Sequence, residues 1–490
     1  MLFNSIHFLI FFPLVTAGYF LLPHRIRWLW LLVASCYFYM VFRPIYILIL
    51  AFTILVDYMA GLWIARSTGR RRKYALVLSI AANVGVLAFF KYFNFLNFNL
   101  DAILAHIGRP DPIPFLNILL PIGLSFHTFQ SLSYTVEVYR GKQDPERHLG
   151  MFALYVMYYP QLVAGPIERP QQMLPQLKAH HSFDYARVTA GLKLMLWGML
   201  KKVVIADRLA SFVSPVYDSP ASYPGISICI ATLFFAFQIY CDFSGYTDIA
   251  LGSSQVMGIT LMRNFNRPYF SSSISDFWRR WHISLSSWFR DYVYFSMGGN
   301  RTGPTRHFRN LMATFLLSGL WHGANWTYVA WGGLNGLYLT FESLARSARE
   351  WIFGEAQRPT GRVYLILRWA ITFGATCLAW ILFRAKTMTD AWYMISHLTA
   401  GFGELPSHLK EKTFQRTYIL LLQDKDDFMI GLAAIAGLVL IEWMQRRGSM
   451  RERLAALPTW GRWSVYYAAV GAVLFLGAFN RAQEFIYFQF

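Results

Sequence analysis

The run Leu311-Met312-Ala313-Thr314-Phe315-Leu316-Leu317-Ser318-Gly319-Leu320-Trp321-His322-Gly323-Ala324-Asn325-Trp326 opens an apolar stretch that continues to about Phe341. Arg301, Arg306 and Arg309 precede it, and Arg346 and Arg349 follow it. A stretch this long can enter a ~30 Å hydrocarbon layer, and basic flanks mark the cytoplasmic side of a membrane. Two cytoplasmic ends predict a re-entrant or two-piece element that turns near Gly323, with His322 at its apex near mid-membrane. A charged side chain at that depth costs roughly 2.5–3.5 kcal/mol on insertion scales. Imidazole avoids most of that cost by remaining neutral, and a neutral ring keeps a nitrogen that can accept a proton.

The rest of the chain has the same character. Its 490 residues are 56% hydrophobic and 14% charged, with a mean hydropathy of +0.35, against roughly 25% charged residues in soluble domains. Further apolar runs lie near residues 6–22, 28–42, 45–65, 74–97, 114–138, 150–165, 188–206, 225–241, 246–262, 363–383, 427–444 and 464–480. The chain is predicted to be an all-α polytopic membrane protein, one membrane-embedded domain over 1–490. Roughly ten to twelve crossings are expected, with re-entrant and interfacial helices besides. Leu116–Tyr139 carries Pro121, Gly123, His127 and Glu137, and Met151–Pro166 is interrupted at Pro160 and Gly165. Such broken stretches survive at membrane depth only against protein or water.

The net charge of +19 does not signal nucleic acid, because the basic residues sit in short loops between apolar runs. Arg25 and Arg27, Arg66 with Arg70–Lys73, and Arg446–Arg453 follow the positive-inside pattern and suit anionic lipid headgroups. By parity these loops place both termini outside. The stretch 263–310 becomes a cytoplasmic interfacial loop and 384–426 an extracytoplasmic connection. Met1–Leu22 lacks a basic leader and reads as a retained first helix rather than a signal peptide. Cys36, Cys229, Cys241 and Cys377 show no paired spacing, so neither a disulfide frame nor a metal site is expected.

Two histidines are the leading candidates for chemistry. A continuous helix through His322 would put Ser318, Asn325 and Trp326 on its face. Ser318 or Asn325 would then fix the ring tautomer, and Gly319, Gly323, Gly332 and Gly333 would admit a ligand or a second backbone. The other reading is a packing histidine that hydrogen-bonds between helices. Trp278, His282, Leu285 and Phe289 likewise form one stripe if 276–292 is a single interfacial helix capped by Ser275. In that helix His282 is either part of an anchor or a companion to His322, while Arg279, Arg280 and Arg290 would attract an anionic ligand. Asp242, in Tyr240-Cys241-Asp242-Phe243-Ser244-Gly245-Tyr246, reads as the cap of a helix starting near Gly245. Glu168, His127 and Glu137 stay open. No phosphate-binding loop, nucleophile elbow or zinc motif is present.

Six segments together resemble the membrane-bound O-acyltransferase superfamily, and within it the bacterial alginate O-acetylation branch. They are Leu120–Phe126, Leu162–Ile167, Tyr240–Tyr246, Phe277–Tyr292, Gly298–Arg301 and Leu320–Asn325, with the tail Phe485–Phe490 in addition. The resemblance implies a helical funnel and an essential catalytic histidine at His322, with His282 as the second of the pair. It implies a cytosolic acyl thioester such as acetyl-CoA as donor and no tightly bound cofactor. It also implies an extracytoplasmic acceptor, either a polysaccharide or a periplasmic acetyltransferase of the SGNH type, in a bacterial inner membrane. Acyl transfer to a hydroxyl requires a base that takes its proton, a contribution of roughly 10²–10⁴-fold. Trp321 and Trp326 would screen the thioester from water. A transporter or flippase for acyl or polysaccharide precursors is the alternative that intramembrane polar residues also suit. A scaffold for an envelope polysaccharide complex is another, and it would tolerate loss of both histidines.

Overall fold

A computed structural model describes residues 1–117, 120–301, 303–353, 361–481 and 485–486. All regular structure among them is helical. Among the described residues, five helices are long and apolar enough to cross a membrane: Pro44–Arg66, Gly69–His106, Gly225–Val256, Arg362–Arg384 and Lys425–Gln445. The chain divides into two compact units, residues 1–195 with 246–263, and residues 196–245 with 264–490.

In the first unit, Asp57 inside a spanning helix is fully buried and accepts hydrogen bonds from Ser79, Asn83 (3.0 Å) and Thr135 (3.2 Å). Those partners explain how a carboxyl group fits in an apolar helix, since buried polar groups survive when they are bonded. The expected breaks are present. Within 114–138 the helix Leu124–Tyr139 starts after Gly123 in the left-handed region (φ 77°), and 150–165 divides into Leu149–Met157 and Tyr159–Leu162. A Cβ on Gly123 would lie 2.8 Å from the Leu162 carbonyl oxygen, so this glycine is required twice over.

The second unit holds both candidate histidines. Its core is aromatic: Trp281, Trp331 and Trp380 are almost fully buried, with Trp281 and Trp380 centroids 4.9 Å apart. Two readings of the sequence need correction here. Residues 225–241 and 246–262 are not separate spans; Gly225–Val256 is one unbroken helix, and Asp242 lies in its interior rather than at a cap. The stretch 276–292 is not one helix either. Ile274–Arg280 and Ile283–Phe289 are separate, and the first is capped by Ser273, whose hydroxyl accepts from the Asp276 N–H, not by Ser275.

Candidate active site

His322 is the last residue of the Pro304–His322 helix, and the chain leaves through an extended Gly323. Trp326–Phe353 then folds back along it, forming the two-piece element with the expected turn. Glycines close the hairpin. A Cβ on Gly319 would overlap the Tyr328 carbonyl, one on Gly332 the Phe315 carbonyl, and one on Gly323 the Tyr328 ring. The glycines therefore admit a second backbone, one of the two uses their pattern allowed.

The imidazole of His322 is 4% exposed and sits among three aromatic rings. Trp321, Trp331 and Phe383 have centroids 4.9, 5.0 and 5.2 Å from it, all close to edge-on. Ser318, one turn earlier, is buried as well. The ring lies at the C-terminal end of a 19-residue helix. That end carries partial negative charge, which favours a cation there by ~0.3–1 kcal/mol, and up to ~2 when partly buried. The position is suited to a ring that gains a proton transiently.

Asn325 and Trp326 do not share that face, because the helix has ended before them. The Asn325 carboxamide oxygen accepts from the Thr327 N–H (3.1 Å), and its NH₂ donates to the Lys386 carbonyl (2.9 Å). Asn325 thus caps the returning helix and ties the turn to a neighbouring loop, instead of holding the imidazole. Trp326 is 52% exposed and does not screen the site. Trp321 is the buried tryptophan of the pair.

His282 lies at the break between the two short helices, with its backbone in the left-handed region at φ 42°, ψ 54°. Histidine tolerates this better than branched residues, but the conformation still costs about 1–3 kcal/mol. Surrounding bonds hold it in place. Trp281 N–H donates to Phe277 (2.8 Å), Ile283 N–H to the Asn264 carbonyl (2.9 Å), and Ser284 N–H to the Asn264 side chain (3.2 Å). The turn aims the imidazole inward, 4.6 Å from the Phe243 centroid and 6.4 Å from that of Trp321. Burial pushes its pKa down to about 3. Trp321 therefore packs against both histidines, which gather in one aromatic region.

Asp242 belongs to a buried ionic cluster. Lys202 Nζ lies 2.7 Å from its Oδ1 and 2.8 Å from Asp207 Oδ1. The neighbouring Lys201 donates to Ser244 Oγ at 2.9 Å. Lys201 and Lys202 fall in a π-helical turn, Leu200–Ala206, whose wider winding puts both lysines inside the protein. Asp242 Oδ2 also accepts from the Ile486 N–H (2.7 Å), and Phe485 packs 5.6 Å from Phe243. The rest of the tail motif, Tyr487–Phe490, lies outside the described residues. Reading the sequence missed Lys202 and Asp207. The available signal was a Lys-Lys pair inside an apolar run with an aspartate five residues further on.

The arginines occupy varied settings. Arg279 is exposed, Arg280 Nε pairs with Asp276 at 2.9 Å, and exposed Arg290 lies 3.0 Å from Asp291. In the first unit the remaining candidates have local partners. His127 bonds to the Thr53 hydroxyl, Glu137 accepts from Gln171 (2.8 Å), and Glu168 accepts from the Met262 N–H (2.6 Å).

Comparison with known proteins finds the membrane-bound O-acyltransferase family over residues 140–385. A probable alginate O-acetylase AlgI of Pseudomonas aeruginosa is 40% identical over 397 residues, covering 80% of this chain and 74% of the relative. A peptidoglycan O-acetyltransferase of Helicobacter pylori is 34% identical over 447 residues, covering 84% and 82%. A teichoic acid D-alanyltransferase of Bacillus subtilis is 29% identical over 304 residues, covering 59% and 74%.

Proposed function

Since the chain belongs to the membrane-bound O-acyltransferase family, we propose that it is an O-acetyltransferase acting on an envelope polysaccharide, with His322 as the base. The donor is a cytosolic acyl thioester such as acetyl-CoA. The acceptor is a hydroxyl on the other side of a bacterial inner membrane, on the glycan itself or on an SGNH-type periplasmic partner. Both termini then face outward, the orientation that the basic loops favour. The O-acetyltransferase names of the relatives that cover most of the chain support acetyl transfer over transport.

The observation that carries this reading is the setting of His322, a buried imidazole at a helix C-terminus, walled by aromatic rings and linked through Trp321 to His282. In the proposed step the acceptor oxygen attacks the thioester carbonyl carbon while its proton passes to a ring nitrogen of His322. The C–S bond breaks, and the thiolate leaves with the proton that the imidazolium returns. Ester and thiol form in equal amounts. The helix terminus stabilises the transient imidazolium, and exclusion of water by Trp321, Trp331 and Phe383 protects the thioester from hydrolysis. Asp242, Ser318, Arg279 and Arg280 have supporting roles, the arginines by attracting the anionic part of the donor.

The test supplies purified protein with labelled acetyl-CoA and, in separate reactions, alginate oligosaccharides, peptidoglycan fragments or an SGNH-type partner. Equal release of thiol and gain of labelled ester is expected with one acceptor class. Passage of label across a vesicle wall without thiol release would overturn the proposal in favour of transport.

A further inference from the structure

The first unit contains a cavity of about 280 Å³ at the start of the His24–Met40 helix. Its lining includes the basic residues His24, Arg25 and Arg27 and the apolar residues Leu31, Met151 and Ile259. We propose that it binds the phosphate headgroup of an anionic phospholipid, independently of the acyl-transfer site.

None of the described lining residues is acidic. Arg27 is 9% exposed, and its guanidinium donates only to carbonyls: Leu22 (3.0 Å), His181 (2.7 Å) and Phe20 (3.4 Å). It also lies 5.0 Å from the Tyr19 ring centroid. Carbonyls and a π-face solvate the charge without neutralising it, and no carboxylate pairs with Arg27 among the described residues. His24 and Arg25 add basic groups in the first turn of a helix with no acidic residue there and no side-chain cap. Cations at that end oppose the helix dipole, whereas an anion would satisfy both.

Size and setting favour a lipid. The cavity is slightly smaller than the ~300 Å³ lower end of drug-sized pockets. That volume has room for a phosphate with a small polar group, beside the apolar Leu31, Met151 and Ile259. The positive-inside reading places the 24–27 loop at the cytoplasmic leaflet, where anionic headgroups are abundant. Inorganic phosphate shares the charge chemistry but has no use for the apolar lining residues.

The experiment uses the full chain in neutral detergent, with binding read by native mass spectrometry and thermal shift. The probes are phosphatidylglycerol, phosphatidylcholine and inorganic phosphate. Phosphatidylglycerol should be retained and should raise the melting temperature, with the other two far weaker. A His24→Gln/Arg25→Gln double variant should bind phosphatidylglycerol roughly fivefold or more weakly, one basic residue being worth about that factor at a membrane surface. Ala179→Trp fills the cavity from an exposed lining position without changing charge and should weaken binding as well. Arg70→Gln/Arg71→Gln, exposed arginines of another loop, should not. Wild-type binding by either cavity variant would overturn the proposal. So would an equal loss in the Arg70/Arg71 control, equal retention of phosphatidylcholine, or an effect reproduced by inorganic phosphate alone.

Discussion

Replacing His322 by glutamine isolates its basicity from its packing. Alanine would remove the ring from contacts with Trp321, Trp331 and Phe383 at 4.9, 5.0 and 5.2 Å. At ~0.5–1.5 kcal/mol per aromatic pair, that is about 1.5–4.5 kcal/mol of packing, enough to confuse lost chemistry with lost fold. Glutamine keeps most of the volume and a polar end but has no basic nitrogen. Loss of general-base assistance predicts a fall in kcat of roughly 10²–10⁴-fold, or about 2.7–5.5 kcal/mol at ~1.36 kcal/mol per decade. The ~0.3–2 kcal/mol contributed by the helix terminus acts on the same imidazolium and lies within that figure. The assay measures thiol release and ester formation with kcat and KM resolved, beside a melting curve in the same detergent. KM should change only a few-fold, and melting by a few degrees. A glutamine variant that melts normally and keeps kcat within about fivefold of wild type would show that His322 is not the base.

Other perturbations address the supports. Lys202→Met leaves Asp207 and Asp242 buried without their cation, a loss of about 3–5 kcal/mol. Melting should fall sharply, and adding Asp207→Asn and Asp242→Asn should restore much of it. Gly319→Ala forces a methyl into the Tyr328 carbonyl, a backbone atom that cannot swing aside. Stability should drop by about 1–3 kcal/mol, read as a lower melting temperature. His282 gives a pH signature. Its folded pKa of about 3 lies below its ordinary 6.5, so only the unfolded chain gains a proton between those values. Stability is therefore unaffected by this group above 6.5 and falls as pH drops toward 3. By pH 5 the loss is about 2 kcal/mol. His282→Asn, which tolerates the left-handed backbone, should flatten the melting profile between pH 7 and 5 relative to wild type, and an unchanged slope would contradict this.

How far the sequence could be read depended on whether the deciding interaction was local. The turn after His322 was legible because Gly323 interrupts an apolar run with basic flanks at both ends. The all-α membrane character was legible from the same runs. Asp242, Ser244 and Gly245 looked like a helix break because three polar or flexible residues in an apolar run usually are one. Lys202 and Lys201 satisfy the first two from a distant π-turn, and Gly245 admits the Gly198 backbone, its Cβ position lying 2.7 Å from that carbonyl. The break at His282 was invisible for the converse reason. Trp281-His282-Ile283 has no glycine or proline, and the amphipathic spacing runs straight through. Asn264, about twenty residues upstream, caps the second helix and imposes the turn. Asn325 was misread by one step: its spacing from His322 is helical, but the helix stops first.

The settings of the two histidines support different roles. His322 sits at the negative end of a long helix, where an added proton is stabilised as it arrives. His282 immediately precedes the N-terminus of Ile283–Phe289, among Phe243 and Trp321, and is held neutral by burial. In the proposed mechanism a proton released by an acceptor hydroxyl therefore has a better destination at His322, at a helix C-terminus, than at His282. What His282 offers is a fixed neutral ring whose orientation is set by a strained backbone and by three hydrogen bonds from neighbouring backbone N–H groups, one of them to the Asn264 side chain. Such a ring suits positioning of a substrate or of Trp321. Both rings are buried, so the asymmetry comes from the helix ends, which are features of backbone placement. Exchanging the two roles would require moving helices, beyond what substituting side chains achieves.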